Sequence, residues 1–135
     1  MKVTAIIEKG ADGKYAIISN EEIGDFCLGG FGDSVEEAKA DLQSVIKEAQ
    51  NEYVKEHGEL SQSYKTITIS YKYDLAAFFN FFDWINISKF AKAAGINESK
   101  MRQYKVGSAF AGERTKDKIQ AAIKRMSAEL ASASL

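Results

Sequence analysis

The last strand-like alternation of apolar residues in this chain ends at Tyr73, and the loss of that pattern from there on limits the folds open to it. Before it, Val3-Thr4-Ala5-Ile6-Ile7 (within 2–8) and Tyr15-Ala16-Ile17-Ile18 (within 14–19) flank Gly10-Ala11-Asp12-Gly13, which predicts a β-hairpin. Residues 26–32 predict a third strand, whose glycines mark a bulge or a close backbone approach. Residues 66–73 alternate, with Ile67, Ile69, Tyr71 and Tyr73 on one face. From Asp74 onward the two-residue period is lost and apolar residues recur every three or four positions. Short helices are expected over 75–82, 88–94 and 98–104. A longer one is expected over 115–130, with Ile119, Ile123, Met126 and Leu130 on one face.

Between the third and fourth strands, Ser34 and Glu37 have the spacing of a capping box. They open the series Val35, Ala38, Leu42, Val45, Ala49 and Tyr53, which predicts a long amphipathic helix ending near Gly58. The fold class read from these patterns is α+β: a β-β-β-α-β domain over 1–73, then a small all-α domain over 74–135. No Pro/Gly/Ser-rich linker separates the two, and with no proline in the chain every boundary falls to glycine and to caps. The 45% of hydrophobic residues is enough for real cores and excludes a disordered chain. There is no apolar run of membrane-spanning length, and Met1-Lys2-Val3-Thr4 does not open like a signal peptide, so a cytoplasmic location without membrane contact is expected.

Charge divides at the same place. Residues 1–73 hold 8 Lys and Arg against 13 Asp and Glu, whereas 74–135 hold 10 against 6. A basic half beside an acidic half points to nucleic acid as a partner for the basic one. The excess is densest over 88–125, with 10 basic and 3 acidic residues, the footprint that a phosphate backbone attracts.

The most specific stretch lies there. A helix-turn-helix needs a small residue where its helices touch, a glycine at the turn, an apolar residue after it and another in the second helix. Ala91, Gly95, Ile96 and Met101 stand at those places. Asn97 is placed to cap the second helix, and its early outward positions are Glu98, Ser99, Lys100, Arg102 and Gln103. Arg102 and Gln103 are the candidates for bidentate contacts to guanine and adenine. Lys89, Lys92, Lys100, Lys105, Arg114 and Lys116 are read as phosphate contacts. The plainer alternative for the same stretch is an ordinary helical hairpin.

With those residues in view, the chain resembles a known family. Residues 1 to about 73 resemble the HicB-type antitoxin fold, a partial ribonuclease-H-like unit, most clearly in Gly32-Asp33-Ser34-Val35-Glu36-Glu37-Ala38. Residues 84–130 resemble a Cro/repressor-type helix-turn-helix. The resemblance implies a type II antitoxin whose first domain binds and blocks a HicA-type mRNA-cleaving toxin. Its second domain would bind double-stranded operator DNA and repress transcription, with the chain acting as a homo-oligomer, dimer or tetramer. Two positions depart from the pattern: the loop 107–112 lacks the Arg and Pro frequent there, and Ile87 stands where a Gln is frequent.

Other residues invite chemistry less. Asp12, Glu21, Glu22, Asp25 and Asp33 fall in or beside expected turns and read as a solvated acidic surface rather than a metal site. His57, at the helix end, reads as a partner of terminal carbonyls, and Cys27 as a small buried apolar residue. The single Cys and single His leave no set for zinc, so neither metal nor cofactor is expected, and no catalytic constellation can be assembled. The cluster Phe78, Phe79, Phe81, Phe82 and Trp84 is divided between a core and a dimer interface. Two alternatives to the antitoxin remain: a stand-alone repressor whose first domain only dimerises or senses a ligand, and a small nuclease or hydrolase.

Overall fold

Strand β1 (Lys2–Lys9) buries Val3, Ala5 and Ile7 and turns Lys2, Ile6 and Glu8 to the opposite side, as its two-residue period requires. The computed structural model describes residues 1–135. After a turn closed by Gly10 N–H to Lys14 O (2.8 Å), β2 (Tyr15–Ile23) runs back antiparallel, with Ile6 opposite Ile18. β2 is longer than the sequence predicts. Its register shifts between Ile18 and Glu22, and this irregularity lets pairing with β3 (Phe26–Gly32) resume at Glu22 and Ile23. β4 (Thr68–Tyr73) lies parallel to β1, Val3 facing Ile69, and completes a mixed sheet of order β3-β2-β1-β4.

Helix α1 (Val35–His57) begins at Ser34, whose Oγ accepts the Glu37 N–H at 3.1 Å. The Glu37 carboxylate accepts Asp33 N–H (2.8 Å), one residue before the cap, in place of the Ser34 N–H that a full capping box would use. Val35, Ala38, Leu42, Ile46 and Ala49 are buried against the sheet. Ile46 holds the place the sequence series gives to Val45, because 42, 46 and 49 keep to one stripe while Val45 drifts to its margin. Gly58 ends the helix, its N–H bonded to Val54 O at 2.7 Å. A four-residue helix α2 (Gln62–Lys65), which no apolar period announces, leads into β4.

Glycine in β3 sets how closely α1 approaches. A Cβ at Gly30 would stand 2.4 Å from Ala38 O and 2.7 Å from Leu42 N, both backbone atoms that cannot swing aside. Inward positions 28 and 30 thus face the helix, which puts 27 and 31 on the outer side. Cys27 is accordingly exposed, not buried as its type led us to expect, and its Sγ lies 3.6 Å from Glu22 Oε1 on the neighbouring strand. On that uncovered side Ile6, Ile18 and Phe31 are exposed.

The chain forms two compact units, Met1–Ala77 and Phe78–Leu135, dividing within α3 (Leu75–Phe81). The second unit continues with α4 (Ile87–Ala94), α5 (Glu98–Val106) and α6 (Glu113–Ser132). Phe79, Phe90, Ala91, Met101, Tyr104, Ile119 and Ala122 are buried in it, and the rings of Phe79 and Phe90 meet edge-on at 5.4 Å. Of the apolar series on α6, Ile119 is buried with Ala122, Ile123 and Met126 are half-buried and Leu130 is exposed. The architecture is therefore α+β, a four-stranded mixed sheet with six helices, and no helix is long and apolar enough to cross a membrane.

Gly30→Ala is expected to lower the stability of the sheet unit by about 1–3 kcal/mol, the usual penalty for overpacking, because α1 must lift off β3. A urea titration followed by circular dichroism measures it; an unchanged midpoint would show that the contact is slack.

Candidate nucleic-acid interface

Two asparagines organise the basic stretch. Asn86 Oδ1 accepts Lys89 N–H at 2.9 Å and opens α4; Asn97 Oδ1 accepts Lys100 N–H at 3.1 Å and opens α5. Each satisfies an amide that the first helical turn leaves without an intrahelical partner. The sequence reading found the cap at Asn97 and missed the one at Asn86, although it directly precedes Ile87, the first apolar residue of its helix.

Between the helices Gly95 adopts φ 70° and ψ 35°, the left-handed conformation that glycine enters without steric cost. Its N–H bonds Lys92 O at 3.2 Å and the Ile96 N–H bonds Ala91 O at 2.9 Å, so the chain leaves α4 with its last carbonyls paired. Ala91 and Met101 are fully buried where α4 and α5 meet, and Ile96 is half-buried. Arg125 Nη2 reaches Ala93 O at 2.5 Å from α6, a cation on the carbonyl end of α4.

This frame leaves Ser99, Lys100, Arg102 and Gln103 exposed on α5 and Lys89 and Lys92 exposed on α4. Asn97 is exposed too, but its Oδ1 is taken by the cap. Glu98 does not point outward with its neighbours. Its Oε1 accepts from Ser88 Oγ on α4 and from Arg102 Nη2 (2.6 Å), and Arg102 Nη2 also reaches Ser88 Oγ at 3.3 Å. The Ser88 bond, followed by the Arg102 and Lys92 charges, holds the Glu98 carboxyl below its ordinary pKa, so it stays ionised and paired. Arg102 thus spends Nη2 inside the protein and keeps Nε and Nη1 for an outside partner. Ser88 carries this network and escaped the sequence reading, since nothing in local spacing links positions 88 and 98.

Lys105 sits in the last turn of α5, where its own carbonyl accepts Asn80 Nδ2 at 3.1 Å. Arg114 and Lys116 open α6, where the helix dipole disfavours cations; Glu113 offsets one of them, 3.6 Å from Lys116 Nζ. Phe110, in the loop between α5 and α6, is 92% exposed, and the sequence offered no sign of it.

Elsewhere, Asp12 Oδ1 accepts Lys14 N–H at 3.0 Å within the hairpin turn, while Glu21 lies in the irregular stretch of β2 and Glu22 where its pairing with β3 resumes, beside the turn at Gly24 and Asp25. His57 Nδ1 stands 3.2 Å from Tyr53 O and its ring stacks on the Tyr53 ring at 4.2 Å. No group of three or more His, Cys, Asp or Glu side chains is gathered as a metal ion would need. Comparison with protein-family models, curated proteins and solved structures finds no match to the chain.

Because Ser88 supplies the largest part of the shift at Glu98, Ser88→Ala is expected to raise the Glu98 pKa toward its ordinary value, read by carboxyl-carbon NMR titration. The Glu98 pairing is complete above the ordinary carboxylate range and is lost as pH falls through the lowered value. Asn97→Ala is expected to cost about 0.5–2 kcal/mol through loss of the α5 cap, seen as a lower Tm for the helical unit.

Proposed function

We propose that the chain is a DNA-binding antitoxin: a helix-turn-helix of Cro/repressor type in the helical unit reads operator DNA, and a HicB-like, partial ribonuclease-H-like sheet unit masks a HicA-type toxin. The observation that carries the reading is α5, opened by the Asn97 cap, set on α4 through Ala91, Gly95 and Met101, and presenting Ser99, Lys100, Arg102 and Gln103 to solvent in a strongly basic segment. These are the side-chain types that contact base edges and phosphates in the major groove. Gln103 is the principal base reader, its amide fitted to adenine; Arg102 makes a bidentate contact to guanine only by releasing Glu98 and Ser88. Lys89, Lys92, Lys100, Lys105, Arg114 and Lys116 neutralise phosphates.

The sheet unit supports the second half of the reading through its three strands, long helix α1 and returning fourth strand, with only the four-residue α2 interposed, and through its charge, 8 basic against 14 acidic residues over 1–77. Such a surface steers a basic protein partner toward it. The protein works without metal, cofactor or catalytic activity of its own, as a homo-oligomer.

In gel shifts on the promoter region of its own gene, Gln103→Ala is expected to cost on the order of 1–3 kcal/mol and to blur the sequence preference. Lys105→Ala and Lys116→Ala should weaken binding to all duplexes alike and reduce the salt slope by about one unit per contact. Equal behaviour of the Gln103 and Lys105 variants across sequences, or no preference of the parent protein over random duplex, would refute the DNA assignment. Co-purification with the product of an adjacent short basic reading frame tests the toxin, and its absence leaves the stand-alone repressor.

A further inference from the structure

The polar face of α5 ends in two apolar side chains that the unit leaves in water. Ser99, Gln103 and Val106 follow one another at spacings of four and three, so Val106 stands on the face that presents Ser99 and Gln103, and it is 74% exposed. Four residues further on, in the loop 107–112, Phe110 is 92% exposed, while Ala109 and Ala111 on either side of it are half-buried. A loop packed by hydrophobicity alone turns its ring in and its methyl groups out; this one does the reverse. We infer that Phe110 is an apolar wedge for duplex DNA: with α5 in the major groove, its ring enters the adjoining minor groove, parts two stacked base pairs at a pyrimidine–purine step and kinks the operator there. The inference rests on the DNA reading proposed above. It adds a residue that selects sequence through the deformability of the duplex rather than through hydrogen bonds to bases.

The loop holds the ring at both ends. Gly107, at φ 80°, bonds its N–H to Tyr104 O at 3.2 Å, and Ser108 N–H bonds Gln103 O at 3.0 Å, so the loop starts tied to the proposed base reader. At its far end Lys116 N–H bonds Gly112 O at 3.0 Å and opens α6. Only Ala109, Phe110 and Ala111 lie between these ties. The ring is therefore presented already ordered, which lowers the entropy lost on binding.

Length fits the same placement. At 1.5 Å per residue the nine residues of α5 span about 13 Å, close to the roughly 12 Å width of the major groove. Recognition helices set their N-terminal residues on base edges. The C-terminal end of α5 then arrives at the phosphate wall, and the loop that follows stands beyond it, over the minor groove.

Charge selects DNA over a protein partner. Residues 99–118 hold six Lys and Arg against Glu113 and Asp117, so a basic toxin or a second copy brings like charge to this loop. Arg114 and Lys116 stand in the first turn of α6, against its dipole. Cations in that position and a ring in water are both unfavourable in the free protein. One partner relieves both, since phosphates take the cations and stacked base pairs take the ring. Pyrimidine–purine steps are the ones that open most easily to such an insertion.

The test uses the full-length protein and duplexes from the promoter region of its own gene. Bending is read from gel mobility with the site at the middle or the end of fragments of equal length. Unstacking is read from the fluorescence of 2-aminopurine replacing adenine at each TA or CA step of the site in turn. The parent protein is expected to bend the duplex by at least about 20° and to brighten one 2-aminopurine about twofold or more. Phe110→Ala should keep the far-ultraviolet circular dichroism of the parent and bind about fivefold or more weakly, the loss of one base–aromatic contact, with bend and brightening both gone. Phe110→Leu, which keeps an apolar wedge, should retain both signals. A parent protein that binds the site with no bend and no brightening overturns the inference and leaves the DNA reading standing, as does Phe110→Ala with both signals intact. A parent protein with no preference for the promoter over random duplex overturns both.

Discussion

The sheet unit depends on the distance between α1 and β3. With no Cβ at Gly30, the helix backbone settles directly on the strand at Ala38 and Leu42, and the stripe Val35, Ala38, Leu42, Ile46 and Ala49 is buried on the side where β2 and β3 turn Ile17 and Leu28 inward. Any side chain larger than hydrogen would act as a spacer under the whole stripe, since a rigid helix cannot yield at one residue without tilting. The outward positions of the strands follow from the same fact. Once the helix claims one side of the sheet, Ile6, Ile18, Cys27 and Phe31 are committed to the other.

The helical unit solves a different problem, since it has few residues from which to make a core. It relies on one aromatic pair, Phe79 with Phe90, on Met101 and Ile119, and on helix ends that are individually satisfied by Asn86, Gly95, Asn97 and Arg125. With its termini capped from within, α5 can be almost wholly polar and still stand in place. A helix that contributes only Met101 and Tyr104 to the interior is free to spend its other positions on solvent or on a partner. The Ser88, Glu98 and Arg102 network adds a polar tie between α4 and α5 on the side away from that interior.

Much of this was legible in the sequence because it depends on periodicity and caps, which are local. The hairpin, α1 with Ser34 and Gly58, and the alternation leading into β4 all announce themselves within a few residues. What was not legible depends on contacts between distant residues. β2 outran its expected end because the irregularity after Ile18 is settled by pairing with β3. Cys27 was assigned by its type, yet its side was decided by Gly30 and the helix above it. Ser88 joined the candidate site through Glu98 on the next helix, and Leu130, periodic with Ile119, is exposed near the end of α6.

The parallel pairing of β1 with β4 joins Lys2 to Thr68, so the strand made first is completed by the strand made last in its unit. Contacts of such long sequence separation form slowly, because the whole intervening loop must close before they are rewarded. Until then one side of β1 presents unpaired amides and carbonyls, the surface on which unfinished chains join one another. The helical unit has no comparable wait, since its helices are assembled from neighbours. On the ribosome the chain therefore carries an open strand edge until β4 has emerged, and a nascent chain arrested before Thr68 is the form of this molecule most exposed to aggregation.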